Sequence, residues 1–200
     1  MDVSADLGFL EAPVLEVAPQ LLGAVLRAGE VAVRLTEVEA YDGPNDPGSH
    51  AFRGPTRRNE VMFGAAGRLY VYFTYGMHYC CNVVCGPAGT ASAVLLRAGE
   101  VVDGLDLARS GRPGAADRDL ARGPALLCRA LGITAEDGGT DLRSGPLRLE
   151  PRREVPGAAV HTGPRVGLRH AGDRPWRFWL AGEPTVSKYR AAVRRPRRSP

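Results

Sequence analysis

The sequence predicts a single α+β domain whose sheet is mostly antiparallel. Two observations support this class: short runs of strand-forming residues recur and are joined by tight turns, whereas helical patterns are few and brief. The 200 residues are 44% hydrophobic and 24% charged, the composition of an ordinary globular protein whose core needs no disulfide or metal. We assign residues 1–190 to this domain and residues 191–200 to a basic tail.

The elements follow from turn residues and periodicity. Gly29-Glu30 links the first two strands as a hairpin, and Tyr75-Gly76-Met77 turns the third strand into the fourth. Eight strands are predicted, at residues 25–28, 31–41, 69–74, 78–85, 91–98, 147–150, 165–168 and 177–180. Three peripheral helices are predicted, at residues 14–22, 104–109 and 124–131. Apart from the second helix, the glycine- and arginine-rich residues 99–117 are expected to form loops.

Carboxylates appear within the strand that begins at Val31. Val31 and Leu35 belong to an apolar stripe, and period-two alternation places Glu37, Glu39 and Tyr41 on that same face. A glutamate beside a tyrosine at the end of a half-buried strand would be desolvated enough to act as a base, yet close to a loop where substrate enters. From these residues alone, a surface strand with two solvated acids remains an alternative.

The basic charge indicates a polyanionic partner. The formal net charge is +4, and Lys188 is the only lysine, so nearly all of the positive charge is arginine, whose planar fork matches phosphate oxygens. One cluster lies between the Glu39 strand and the Tyr75 hairpin and comprises Arg53, Arg57, Arg58 and Arg68. A second cluster comprises Arg194, Arg195, Arg197 and Arg198. We expect a disordered tail there that attracts phosphates nonspecifically, the alternative being an inert tail.

Several classes of protein are disfavoured. No apolar run approaches the roughly 20 residues of a membrane span, and the first residues are acidic where a signal peptide would be basic, so a cytoplasmic location is expected. Adjacent strand residues point to opposite faces, so Cys80 and Cys81 cannot both face one metal, and C-x-x-C pairs are missing. Reduced, buried thiols are expected. The zinc deaminase pattern, H-x-E with P-C-x-x-C, is also missing.

A long series of motifs runs in order from about residue 21 to residue 187. Its members are Glu37-Val38-Glu39-Ala40-Tyr41, Ser49-His50-Ala51, Pro55-Thr56-Arg57-Arg58-Asn59, Met62-Phe63-Gly64, Tyr70-Val71-Tyr72, Tyr75-Gly76-Met77, Asn82-Val83-Val84, Leu95-Leu96-Arg97-Ala98, Gly123-Pro124, Leu127-Cys128, Gly163-Pro164-Arg165-Val166-Gly167 and Pro175-Trp176-Arg177-Phe178. This series resembles the alkyladenine (3-methyladenine) DNA glycosylase family, the methylpurine-DNA glycosylase type, which excises alkylated or deaminated purines. The resemblance implies a curved, mostly antiparallel β-sheet with a protruding hairpin and peripheral helices.

The resemblance also implies how a damaged purine is held once it has been flipped out of the duplex. Tyr41 and Tyr72 match the two stacking aromatics; Tyr70 shares a strand face with Tyr72, and only the family spacing selects Tyr72. His50 matches the histidine that hydrogen-bonds the flipped nucleotide. Asn82 matches an asparagine that disfavours the 2-amino group of normal guanine. Tyr75 matches the wedge that fills the vacated space in the stack.

Further positions match the catalytic and backbone-binding residues of that family. Glu39 matches the catalytic glutamate, which activates water and stabilises an oxocarbenium-like sugar. Arg97 matches an arginine that orients the water and contacts phosphate, although an ordinary surface ion pair is an alternative, and the carbonyl of Val166 matches a further water ligand. The Arg57/Arg58 pair is assigned to the DNA backbone.

The activity implied is hydrolysis of the N-glycosidic bond of 3-methyladenine, hypoxanthine, ethenoadenine or 7-methylguanine type lesions. No metal or cofactor is expected, and the chain is expected to act as a monomer on double-stranded DNA. A competing mechanism needs an amine, but Lys188 matches no catalytic position, so an abasic site in an intact strand is the expected product. The alternative function is a non-catalytic nucleic-acid-binding module, which would gain nothing from burying Glu39 beside phosphates.

Overall fold

The computed structural model describes residues 6–74, 76–152 and 159–192. One curled antiparallel sheet carries peripheral helices, which confirms the predicted α+β class. The strands are β1 (Val25–Ala28), β2 (Val31–Asp42), β3 (Leu69–Thr74), β4 (His78–Cys85), β5 (Ser92–Asp103), β6 (Leu147–Glu150), β7 (Val160–Gly163) and β8 (Arg177–Leu180). The α-helices are α1 (Val14–Gln20), α2 (Leu105–Ser110) and α3 (Pro124–Ala130). Among the residues that the structure describes, no helix is long and apolar enough to cross a membrane.

Strand β2 organises the sheet. The strand order is β3-β4-β5-β2-β1-β6, and β8 pairs with both β2 and β7. Along one edge β2 pairs with β5 over most of its length. Along the other edge its first half pairs with β1 and its second half, at Glu37–Glu39, pairs with β8. The second half of β2 is therefore enclosed on both sides.

Both predicted hairpins form. β1 and β2 pair across Gly29-Glu30, and β3 and β4 pair from Leu69↔Val83 to Thr74↔His78. Tyr75 lies outside the described residues, so its wedge role stays a prediction. The arginine-rich residues 194–198 also lie outside them.

The predicted face of the two glutamates was wrong. Val31, Val33 and Leu35 do pack in the main core, but so do Val38 and Ala40, which have the opposite parity. The pairing of β2 with β5 is irregular between Leu35 and Val38, where the register shifts twice. This irregularity reverses which residues face the core: odd-numbered residues face it before the irregularity and even-numbered residues face it afterwards. Glu37 and Glu39 consequently point away from the main core instead of extending its apolar stripe.

Three further predictions fail locally. Residues 165–168 form turns instead of a strand, because their backbone donors bind partners outside any ladder and Gly167 has a φ of 67°. Strand β7 was not predicted. Strand β5 continues five residues beyond the predicted 98, and Gly99 permits this because a Cβ there would lie 2.4 Å from the Arg34 carbonyl oxygen.

The core lies on one side of the sheet and the cavity on the other. Helices α1 and α3 pack on the main cluster, to which Cys81 contributes. A smaller cluster on the other side includes Met62 and Tyr70. Cys80 lines the cavity, so the predicted opposite orientation of the two adjacent cysteines is confirmed. All four cysteines are free, buried thiols.

Candidate active site

A cavity of ≈ 330 Å³ opens between the second half of β2, strands β3 to β5, the start of α3 and two loops. That volume is at the lower end of the range for small-molecule sites, roughly 300–1,000 Å³. Its wall contains all of the predicted catalytic and base-binding residues that the structure describes: Glu39, Tyr41, His50, Tyr72, Asn82, Arg97 and Val166. Residues from distant parts of the sequence thus meet in one place.

Glu39 is fully buried in this wall and is held from three directions. The Tyr41 hydroxyl donates to Oε2 at 2.8 Å, and the Val166 backbone N–H donates to Oε1 at 2.7 Å. Arg97 Nη1 lies 3.4 Å from Oε1. These donors offset the cost of removing a carboxylate from bulk water. A carboxylate offers about four lone-pair sites, so about one remains after these three donors.

Glu37 is also fully buried and is bound by Arg97, Arg177 and Ser187. Its Oε1 accepts from Arg97 Nε at 2.9 Å and from the Ser187 hydroxyl at 3.0 Å. Its Oε2 accepts from the Ser187 backbone N–H at 2.6 Å, and Arg177 Nε lies 3.2 Å from Oε1. Glu37 does not line the cavity. Its contacts with Arg97 hold that side chain in the cavity wall.

Arg97 is 6% exposed and lies within β5, so it is not the surface ion-pair partner that the sequence left open. Burial lowers its pKa, but the charges of Glu39 and Glu37 outweigh that effect and raise it. The guanidinium bridges the two carboxylates and also donates from Nη2 to the Ser187 hydroxyl at 3.3 Å. Arg97 therefore offsets part of the negative charge of the two glutamates, and Arg177 beside Glu37 supplies a second positive charge.

Tyr41 presents its ring to the cavity and is supported from behind by Arg165. The Arg165 guanidinium lies 4.7 Å from the centroid of the Tyr41 ring, and it forms a fully buried, two-pronged ion pair with Asp46. Burial and then the Glu39 charge raise the pKa of Tyr41 well above its usual value, so its hydroxyl stays a donor. Sequence reasoning assigned no role to Arg165 or Asp46. The only indication of such a role was that Arg165 belongs to the motif Gly163-Pro164-Arg165-Val166-Gly167.

His50, Tyr70 and Tyr72 form another part of the wall. The His50 and Tyr72 rings meet edge to face at a centroid distance of 4.6 Å, and His50 Nδ1 lies 3.0 Å from the Tyr70 hydroxyl. His50 is exposed at the rim, yet partial burial and then the nearby Arg58 charge lower its pKa. His50 is therefore neutral near pH 7 and can accept or donate one hydrogen bond. Both tyrosines line the cavity, so the structure does not select one of them.

Asn82 lies on the floor and is 4% exposed. Its amide nitrogen donates to the Tyr70 carbonyl at 3.2 Å, which fixes the orientation of the side chain across the β3–β4 pair. Cys80 lies nearby, and burial raises the pKa of its thiol to about 11. Asn82 and Cys80 thus present neutral groups to the cavity.

The predicted backbone-binding pair lies at the rim. Arg57 and Arg58 are exposed, and the Arg58 guanidinium lies 5.6 Å from the Tyr72 ring centroid. The buried Asn59 organises this loop: its amide nitrogen donates to the His50 and Gly54 carbonyls at 2.9 and 3.1 Å. In the described part of the chain, no group of three or more His, Cys, Asp or Glu side chains is arranged to hold a metal ion.

A tyrosine-walled cavity with a buried carboxylate suits the class of enzymes that work on one extruded nucleobase. The family model of methylpurine-DNA glycosylase (MPG) matches residues 8–184. The chain belongs to the methylpurine-DNA glycosylase family and is a DNA N-glycosylase.

Bacterial relatives agree over nearly the whole chain. A Streptomyces avermitilis protein is 54% identical over 96% of this chain and 94% of its own length. A Nocardia farcinica protein is 58% identical over 90% and 88%, and one from Mycobacterium tuberculosis is 51% identical over 90% and 92%. Each bears a provisional name as a 3-methyladenine DNA glycosylase.

Proposed function

We propose that this protein removes alkylated and related purines, of the 3-methyladenine, hypoxanthine, ethenoadenine and 7-methylguanine types, from duplex DNA by hydrolysis. The position of Glu39 carries the proposal: a fully buried carboxylate lines a cavity whose walls are aromatic. Burying an acid in a DNA-binding protein opposes binding, because phosphates are anionic. Its cost is explained if the acid acts on a sugar and a water.

The walls of the cavity suit an extruded purine. Tyr41 approaches from one side and Tyr72 with His50 from another. Purine rings with reduced electron density, such as cationic N-alkyl purines, stack well on electron-rich aromatic faces. Asn82 reaches the floor, where its fixed amide would conflict with the 2-amino group of normal guanine.

The chemistry requires a water near Glu39. The water oxygen adds to the anomeric carbon, the carbon–nitrogen bond breaks with its electron pair going to the base, and Glu39 accepts the proton released from the water. The carboxylate also stabilises the cationic sugar that develops. Val166 lies beside this position; its N–H binds Glu39, and we propose that its carbonyl binds the water.

A mechanism through a protein amine has little support. Lys188, the only lysine, is not in the cavity wall but in an adjoining groove. We therefore expect an abasic site in an unbroken strand.

A strand-cleavage assay tests the proposal directly. Duplexes that each contain one of the four lesions are incubated with excess protein, and product strands are resolved with and without hot alkali. We expect breaks only after alkali, and none in a lesion-free duplex. Binding without alkali-labile sites on any lesion would favour the non-catalytic binding module, and breaks without alkali would favour the amine mechanism.

A further inference from the structure

A second concavity, of ≈ 450 Å³, lies beside the cavity and shares Arg97 and Val166 with its wall. Its remaining lining consists of Arg122, Ser187, Lys188 and Arg190, so the described residues give it four basic side chains and no carboxylate. We call it the cationic groove. A DNA strand whose nucleotide enters the cavity continues on both sides of that nucleotide, with one phosphate on each side of the sugar. A basic surface directly beside the cavity is therefore in a position to receive one of these phosphates.

The segment that supplies Lys188 and Arg190 has no regular secondary structure, but it is tethered on both sides. Before Lys188, the Ser187 backbone N–H donates to Glu37. After it, the Arg190 carbonyl accepts from the Gly167 N–H at 2.8 Å. These bonds attach the segment to Glu37 on β2 and to the loop that carries Val166. Its backbone is therefore held in place beside the cavity.

Only some of the groove's cations are available to a ligand. Arg97 is engaged by Glu37 and Glu39, and Arg122 lies 3.1 Å from Asp119. In the described part of the chain, neither Lys188 nor Arg190 forms an ion pair, and both side chains are exposed. The positive potential of the groove must come largely from these last two residues.

We propose that Lys188 and Arg190 bind a backbone phosphate of the lesion strand next to the extruded nucleotide. The proposal rests on the proposed function, since it takes the cavity as the site of that nucleotide. It moves the main phosphate-binding role from Arg97, which the carboxylates already neutralise, to the C-terminal segment. The bound phosphate would hold the sugar over Glu39, because the groove and the cavity share a wall.

Neutral-linkage scanning tests this assignment. The probe is a duplex with one tetrahydrofuran abasic analogue, prepared as a set in which one phosphate near the analogue is replaced by an uncharged methylphosphonate. Dissociation constants are measured for the wild type, for Lys188→Gln/Arg190→Gln, for Lys188→Arg and for Arg148→Gln. Arg148 is the control, because it is exposed on the outermost strand β6.

We expect one linkage beside the analogue to weaken wild-type binding roughly tenfold when it is neutral, as for loss of a charged hydrogen bond. The double variant should bind the all-phosphate duplex with a similar loss and show no further loss at that linkage. Its slope of log Kd against log salt should fall by about 0.9 for each phosphate that the variant no longer neutralises. Lys188→Arg and Arg148→Gln should keep the wild-type pattern.

Equal sensitivity of the wild type and the double variant at every linkage would overturn the proposal. So would a double-variant loss no larger than that of Arg148→Gln. Because these are binding measurements, they are independent of base excision: a wild type that binds with the expected pattern but releases no base would contradict the proposed function and leave the groove assignment standing.

Discussion

Glu37 and Glu39 are two residues apart on one strand, equally buried, and joined through one arginine, yet they differ in what they face. Glu37 is bound by Arg97, Arg177 and Ser187 and does not itself line the cavity. Glu39 has framework donors too, but it also lines a cavity. Burial and charge pairing are therefore common to a carboxylate with a structural role and to the one that we propose is catalytic. Access to a substrate-sized space distinguishes them.

The largest expected effect comes from Glu39→Gln. The amide keeps the shape of the side chain but cannot take a proton from water, so single-turnover excision should fall by at least roughly 10²–10⁴-fold. Binding to lesion DNA and the fold should remain. Gel-resolved single-turnover kinetics measure the rate, and Glu100→Gln, an exposed glutamate paired with Arg34, is the matched control.

The assignment would be on the wrong residue if Glu39→Gln kept near-wild-type excision while Glu37→Gln lost it. Loss of excision in both variants, each with an intact fold, would instead show that the pair acts as a unit through Arg97.

Glu37→Gln should lower the stability of the fold, which separates Glu37 from Glu39 by a different measurement. Removing its charge leaves Arg97 and Arg177 less compensated in a buried site, and breaking a buried ion pair typically costs about 3–5 kcal/mol. We expect a loss of that order in the free energy of unfolding, measured with urea. The same control, Glu100→Gln, removes an exposed ion pair and should cost no more than about 1 kcal/mol. If Glu37→Gln lowered the free energy of unfolding no more than Glu100→Gln does, the structural role assigned to Glu37 would be wrong.

How much the sequence could predict is visible at these same residues. Local rules found both hairpins and the opposite orientation of Cys80 and Cys81, because turn chemistry and strand alternation act over a few residues. They failed at Leu35–Val38, since the irregularity there depends on the pairing of β2 with β5 and is not encoded in either strand alone.

The site was predicted through motifs instead of alternation. The motif positions lie together in one cavity, whereas the support of Tyr41 by Arg165 and Asp46 joins the stretch from Tyr41 to Asp46 to a distant segment that no spacing rule connects to it. Residues 165–168 were wrongly predicted to form a strand for the same reason. Their backbone donors bind Glu39 and the Arg190 carbonyl, which are distant in the sequence. Interactions between distant segments become visible only in three dimensions.

Tyr41→Phe tests the difference between the two glutamates, because it removes one hydrogen-bond donor to Glu39 and leaves the contacts of Glu37 unchanged. The ring and its packing against Arg165 remain, but the 2.8 Å hydrogen bond to Oε2 is removed. A hydrogen bond to a charged group contributes about 1.5–3 kcal/mol, so excision should slow by roughly tenfold or more. Tyr79→Phe on β4 is the control, since Tyr79 is outside the cavity wall. A Tyr41→Phe rate equal to that of the control would remove the positioning role of the hydroxyl.

The smallest effect on catalysis should come from deleting the chain after residue 190. The deletion keeps Ser187, the partner of Glu37, and removes four arginines whose sequence context suggests only general attraction to phosphates. Binding to any duplex should weaken at low salt, and the dependence of log Kd on log salt should flatten. The single-turnover rate at saturating protein should stay near that of the full chain, because neither glutamate loses a partner. Unlike the Lys188/Arg190 variant, the deletion should not change the response to a single neutral linkage. If it abolished the saturated rate while circular dichroism showed an intact fold, the tail would belong to the active site, and a contrast drawn between Glu37 and Glu39 alone would be incomplete.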